Sequence, residues 1–444
     1  MKATKAVAGL TVLTMALSLA ACGGSGSKND ATESKAPTTA PTKAAEGTAA
    51  PATTAPDTGI QPEAGASLVI WESKDEMAFT TEMAKRFTEK FNVPVKVEEV
   101  PPPNQAQKLI QDGPSGLGAD VIVIPHDNMP QLALANLILP NEVFADATRA
   151  DNTEASVIGS SYNGQLLGYP RAAETYVLYY NKDLVKDAPL KTWDDVIAFA
   201  KTFTNKSKNK YGIMWEVGNF YFNYPFIAST GGYLFGKDGT DPKDMGLASD
   251  GALEGLKVFS SVKEVLPVKS ADITPDIKRG LFTSGDVAID MNGPWELAGY
   301  KKALGDKLGV ATIPTVAGKT AISFSGIKSW YVNAYSKYPN AAQLFAHFSS
   351  SKEAQLLLNE KVGAIPTNLA ALEDPQVKSD PIISVFAEQA KNSQPMPTIP
   401  EISNVWAPAN AAFPEIWDKG SDAKTVMENA IKQIQDLNNG GGKK

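Results

Sequence analysis

The chain has 444 residues, with 42 Lys and Arg against 49 Asp and Glu, a formal charge of -7, one Cys and two His. That length accommodates two or three domain-sized cores, and a composition that is 43% hydrophobic and 20% charged is too polar for an integral membrane protein. The acidic balance argues against nucleic acid as the main partner, and so few His and Cys argue against a His/Cys metal site.

Lys2 and Lys5 precede an apolar run through Val7, Leu10, Val12, Leu13, Met15, Leu17 and Leu19, the pattern of a secretory signal and too short for a stop-transfer helix. The run ends in Leu19-Ala20-Ala21-Cys22-Gly23, which resembles a bacterial lipobox. The resemblance implies removal of residues 1–21, a lipid on Cys22 and anchorage at the extracytoplasmic face of the cell membrane. Loss of Lys2 and Lys5 takes the formal charge from -7 to -9. Residues 22–66 continue without an aromatic side chain and with Ile60 as the only large aliphatic, so they read as a disordered linker spanning about 36 Å as a coil.

From residue 67 the texture is βα. Ser67-Leu68-Val69-Ile70-Trp71 predicts a strand, Met83, Phe87 and Phe91 an amphipathic helix, and Val93, Val95 and Val97 a second strand. Asp120-Val121-Ile122-Val123-Ile124 is a β-branched run of the kind buried on both faces of a parallel sheet. Tyr176-Val177-Leu178-Tyr179-Tyr180 restarts the pattern, and Thr192-Trp193-Asp194-Asp195 predicts a capping box opening a helix. Further strands are expected over residues 211–215, 286–291, 309–313 and 328–333, and a closing helix carries Val426, Ala430, Ile434 and Leu437 on one face. This alternation predicts an open α/β sheet with ligand contacts on loops after the carboxyl ends of strands. Residues 437–444 read as a frayed tail. Gly113-Pro114-Ser115-Gly116-Leu117-Gly118 lacks the Lys-Ser/Thr ending of a phosphate loop, and no cofactor signature is found.

Several stretches, in order, carry a resemblance to a known family. They are Leu68-Val69-Ile70-Trp71, Ala119-Asp120-Val121-Ile122 with His126-Asp127, Tyr162-Asn163-Gly164-Gln165-Leu166-Leu167-Gly168-Tyr169-Pro170, and Glu174 ahead of Tyr180-Asn181-Lys182-Asp183-Leu184. Lys191-Thr192-Trp193, Tyr221-Phe222-Asn223-Tyr224-Pro225, Asn292-Gly293-Pro294-Trp295 and Met396-Pro397-Thr398-Ile399-Pro400 with Trp406 complete the series. Together they resemble the maltose- and maltodextrin-binding proteins, the solute receptors of sugar ABC importers, and the resemblance implies a two-lobed α/β periplasmic-binding-protein-like fold with the ligand in a cleft. Residues 67–173 with 328–372 would form the N-terminal lobe, and residues 178–324 with 378–436 the C-terminal lobe. The partners implied are an oligosaccharide and the membrane permease subunits of an ABC importer, with the receptor a monomer.

Sugars present hydroxyl rims and apolar C–H faces, so a receptor needs aromatic plates and fixed carboxylates or amides. Trp295 is expected on a turn after the strand around residues 288–291, and Trp406 and Tyr221 are further plates by the resemblance. Asp75, Asp127 and Glu174 fall at its sugar-contact positions, with Asp75 after the first strand, Asp127 after the third and Glu174 near the first lobe crossing. Trp71 is expected to be structural, and His126 a packed neutral imidazole. The family pattern is rewritten at Glu76, Ile124, Asn128, Asn219 and Asn410, so sugar binding is firmer than the sugar's identity. Cyclodextrin or a non-α-glucan remains an alternative ligand. A glycoside hydrolase, which also combines plates with paired carboxylates, and a cell-wall adhesion protein remain alternative functions. The anchor reading predicts that Cys22→Ser abolishes incorporation of labelled palmitate and releases the protein from the membrane fraction.

Overall fold

A computed structural model describes residues 59–186 and 190–440. The signal, Cys22, most of the linker and residues 441–444 lie outside the described residues. Ten strands make up the two main sheets. A six-stranded sheet contains β1 (Leu68–Glu72), β2 (Val95–Glu99), β3 (Val121–Pro125), β6 (Tyr169–Glu174), β11 (Ser323–Val332) and β12 (Ser393–Pro395). A four-stranded sheet contains β7 (Val177–Asn181), β8 (Tyr211–Met214), β9 (Val287–Asn292) and β10 (Leu308–Ala311), in the order β10-β7-β9-β8. The short strands β4 (Ser161–Tyr162) and β5 (Gln165–Leu166) pair as a hairpin. Both main sheets are mixed: β1 runs parallel to β2 and β3, whereas β11 is antiparallel to β3 and β6, and β7 is antiparallel to β9 and β10.

Each sheet has its own core, which divides the molecule into two lobes. In β3 every residue of the β-branched run is fully buried; Val121 and Val123 join a cluster with Phe79, Phe87 and Trp330, while Ile122 and Ile124 join Trp71, Leu109 and Tyr331 on the opposite face. That period-two division explains how a continuous apolar run remains a strand rather than a helix. The second lobe builds one large core around β7 and β9, with Trp193, Trp215, Phe226 and Phe259 packed ring to ring. The capping box forms as the sequence predicts, with Thr192 Oγ1 accepting from the Asp195 N–H at 3.0 Å and Asp195 Oδ2 from the Thr192 N–H at 2.9 Å.

Three differences from the sequence reading have physical causes. Strand β6 carries Pro170, which hides its strand character; the pairing with β11 shifts at this point, opposing Ser329 to Pro170 and Lys328 to Ala172, so Arg171 is the extra residue of a bulge. Docked chain begins before residue 67: Ile60 packs on the N-terminal-lobe core and the Glu63 carboxylate accepts from the Asn340 and Ala341 amides that open a helix. The closing helix, Ala423–Asn438, extends two residues into the expected tail and buries Met427, Ala430 and Ile434, leaving Leu437 exposed.

Arg171 ends in the densest charge cluster. Its guanidinium lies 4.3 Å from the Trp330 ring centroid and 5.2 Å from that of Phe79, donates to Glu72 Oε2 at 2.8 Å, and bonds Glu76 Oε2. All three charged side chains are buried. Removing the cation leaves buried Glu72 without its charged partner and Glu76 with Lys328 alone, so Arg171→Ala is expected to cost about 3–5 kcal/mol, read from urea unfolding.

Candidate functional site

A cavity of about 480 Å³ is lined by residues from both lobes, and all six residues singled out in the sequence border it. Asp75 lies on the loop after β1, Asp127 in a 3-10 turn after β3, and Glu174 ends β6. Tyr221 belongs to a short helix, Phe220–Asn223, after β8; Trp295 to the turn Pro294–Glu296 after β9; and Trp406 opens the helix Trp406–Lys419. The crowded aromatic stretch is therefore helical, and instead of alternating between core and pocket it presents the adjacent residues Tyr221 and Phe222 to the cavity.

The three rings are positioned by contacts behind them. Trp295 folds its ring back over Gly293, where an added Cβ would stand 2.1 Å from the ring, and the Tyr179 hydroxyl holds the Gly293 carbonyl at 2.9 Å. Only glycine leaves room for that ring. Trp406 packs against Phe220 and Phe324, and the Tyr176 hydroxyl donates to the Tyr221 carbonyl at 2.6 Å. Asn219 and Asn410, two of the rewritten positions, cap the Phe220–Asn223 helix by accepting from the Tyr221 and Phe220 amides at 3.1 and 2.8 Å.

The acids differ in their surroundings. Asp127 is buried; its Oδ2 accepts from Asn128 Nδ2 at 3.1 Å while Oδ1 has no partner, and burial pushes its carboxyl up to about 7. Glu174 is paired with Lys328 Nζ at 2.7 Å, and Lys328 also donates to Glu76 Oε1 at 3.0 Å. Burial alone would depress the Lys328 ammonium, but Glu174 and Glu76 outweigh it and hold the charge. Asp75, the most exposed of the three, meets Arg279 across the cleft at 3.3 Å. His126 is buried with Nδ1 accepting from the Ile327 N–H at 2.9 Å, which assigns Nε2–H as the donor to the Met396 carbonyl at 2.8 Å; burial lowers its pKa and keeps it neutral.

Ile124, one of the rewritten positions, stays in the strand core that its β-branched run predicts. It is fully buried among Trp71, Leu132 and Tyr331, and its neighbour Pro125, not Ile124, reaches the cavity. Glu76 likewise serves the charge cluster rather than the cavity wall. The sequence reading missed Arg279, Lys328, Glu216, Glu296 and Phe222, which also line the cavity. Lys328 and Phe222 carried a signal, lying in an expected strand and beside Tyr221; Arg279 carried none, because its cavity-lining partners Glu296 and Asp75 are 17 and 204 residues distant.

Residues 82–385 match the family described as bacterial extracellular solute-binding protein. The chain belongs to that family. The maltooligosaccharide ABC transporter solute-binding lipoprotein of Streptococcus pneumoniae is 32% identical, covering 83% of this chain and 88% of the relative. A galactooligosaccharide-binding protein of Bacillus subtilis is 30% identical over the same shares. Among solved structures, MalX from Streptococcus pneumoniae in complex with maltopentaose superposes with a TM-score of 0.76 at 30% identity, covering 83% of this chain and all of that one. The cavity of this chain lies between its two lobes.

Asp127 gives the site a pH signature. Its carboxyl is raised from 3.8 to about 7, so ionising it penalises the ligand-free fold; the penalty is complete above pH 7 and vanishes as pH falls toward 3.8. Asp127→Asn is expected to stabilise the free protein at pH 8 by on the order of 2–4 kcal/mol, and to lose that advantage by pH 4, in urea titrations.

Proposed function

We propose that this solute-binding protein takes maltooligosaccharides into its interlobe cleft, closes on them, and delivers them to the membrane subunits of an ABC importer. It would do so from the outer face of the membrane, held by a lipid on Cys22. The observation that carries the reading is the wall of the cavity: the rings of Tyr221, Trp295 and Trp406 beside the carboxylates of Asp75, Asp127 and Glu174. Rings suit the C–H faces of a pyranose, and carboxylates accept from its hydroxyls. Charge narrows the class further. Five acids and two bases line the cavity, and both cations, Arg279 and Lys328, are already paired with carboxylates. An anionic solute would therefore meet uncompensated acids, whereas a neutral sugar meets acceptors.

On this reading the lobes comprise residues 67–173 with 328–372 and residues 178–324 with 378–436. They rotate about the crossings near residues 173–177, 325–330 and 372–381. A ligand that touches Asp75 and Asp127 on one lobe and Tyr221, Trp295 and Trp406 on the other gains its full contacts only when the cleft is shut, which supplies the differential affinity that closure requires. The protein acts as a receptor and turns nothing over. Asp127 titrates near the range of a general acid, so maltotetraose incubated with the protein is the direct check: its chain length is expected to stay unchanged, and shortened products would move the protein into the hydrolases.

Calorimetry against maltose, maltotriose, longer maltodextrins, cyclodextrin and β-linked galactooligosaccharides tests the ligand class. Maltodextrins are expected to bind, and Trp295→Ala and Trp406→Ala each to weaken them roughly ten- to hundredfold while the folding transition survives. Preference for the β-linked sugars would instead favour the galactooligosaccharide class.

A further inference from the structure

Arg279 stands on the C-terminal-lobe helix Pro275–Ser284, and its guanidinium has three carboxylate neighbours. Nε and Nη2 fork onto Glu296 Oε2 and Oε1, both at 2.7 Å, and Nη1 donates to Asp276 Oδ1 at 3.0 Å. Nη2 also reaches Asp75 Oδ2 at 3.3 Å, on the loop that follows β1 in the other lobe. Among the described residues, no other ion pair joins residues 67–173 or 328–372 to residues 178–324 or 378–436.

The fork matters because Glu296 is buried and directly follows Trp295 in one tight turn. A two-toothed arginine–carboxylate contact fixes direction as well as distance. One guanidinium therefore holds the turn that carries a cavity ring and also touches the opposite lobe. Asp75 and Arg279 can meet only when the lobes are together.

We propose that Arg279 is a positioning residue that couples lobe closure to Asp75, so that this acid serves the cleft chiefly as the far half of an interlobe latch. The proposal deepens the sugar-receptor reading and rests on it for the ligand. The latch biases the ligand-free protein toward the shut state and adds the same increment to every ligand. It therefore sets affinity without setting the order of preference among sugars. Side-chain exposures of 25% for Arg279 and 36% for Asp75 leave the pair open to ions, so the increment weakens with salt.

Small-angle scattering of the ligand-free protein reads the latch without any sugar. The wild type is expected to expand on going from low to high salt, and Asp75→Asn to be expanded at both. In calorimetry, Asp75→Asn is expected to weaken maltotriose and maltotetraose by one common factor of roughly two- to fivefold, the scale of a partly exposed ion pair. Arg279→Lys is expected to retain most of the affinity. Arg279→Gln combined with Asp75→Asn is expected to be no weaker than the worse single variant. Because Arg279→Gln strips the partner from buried Glu296 and can fail to fold, Asp75→Lys provides an independent arm that places like charges across the cleft and should hold it open. The proposal is overturned if Asp75→Asn leaves the radius of gyration and its salt dependence unchanged, or if the two single penalties add and differ from sugar to sugar. Opening of Asp75→Asn in a protein that binds none of the sugars would sustain the latch while sinking the ligand assignment.

Discussion

Five buried charged side chains run from the interior of the N-terminal lobe to the floor of the cleft: Glu72, Arg171, Glu76, Lys328 and Glu174. Each is 9% exposed or less, so none can be left without an opposite charge except at the cost of several kcal/mol. That requirement propagates outward. Glu72 ends β1 and fixes the start of the Asp75 loop; Arg171 needs the bulge beside Pro170 to aim its side chain inward; Lys328 and Glu174 lie on the paired strands β11 and β6 where these leave the lobe. The cleft floor is therefore rigid for the same reason that the N-terminal-lobe core is. Its charged groups are committed to one another before any solute arrives.

Strand β11 is the mechanical counterpart of that chain. Its ten residues serve both lobes: Phe324 packs in the C-terminal-lobe core, stacked on Tyr224 at 3.6 Å, while Trp330 and Val332 pack in the N-terminal-lobe core. Between them Ile327 donates to neutral His126, whose other nitrogen holds the Met396 carbonyl just after β12. Strand β11 and the residue that follows β12 are thus tied to one imidazole. The tie requires Nδ1 to accept, which a protonated ring cannot do.

Legibility followed sequence distance. Val121 to Ile124 could be read as a strand because alternate residues feed two cores, and Thr192 with Asp195 as a cap because the partners lie three residues apart. Trp295 could be placed on its turn from Gly293 and Pro294 alone. Strand β6 could not, since Pro170 and the small residues after it lack a strand's texture and gain it only by pairing with β11. Ile124 drew attention to the cleft only through the family resemblance; side-chain parity in its strand sends it inward and hands the cavity to Pro125. Arg279 was invisible because its meaning lies in Glu296 and Asp75, contacts that only the folded chain creates. The motif resemblance agrees with the family to which the chain belongs; a ring's place follows from its local turn, while a charge's role follows from distant partners.

The rewritten polar positions show how plates can be kept while their surroundings change. Asn410 lies one helical turn beyond Trp406, and its side chain holds the first amide of the helix that carries Tyr221; Asn219 caps the second. These asparagines stay within the C-terminal lobe and lock the two rings to each other. Tyr179 does the same for Trp295 through the Gly293 carbonyl, and the Arg279–Glu296 fork anchors the residue after it. All three rings are consequently packed against the core of the C-terminal lobe, while Asp75 and Asp127 follow strands β1 and β3 of the six-stranded sheet. Ordering cost is thereby moved out of the binding step, leaving the rotation of one lobe against the other as the principal freedom that a solute has to restrict. A cleft built this way discriminates through the shape that the preset rings accept, and it converts occupancy into a change of outline that a membrane partner can read.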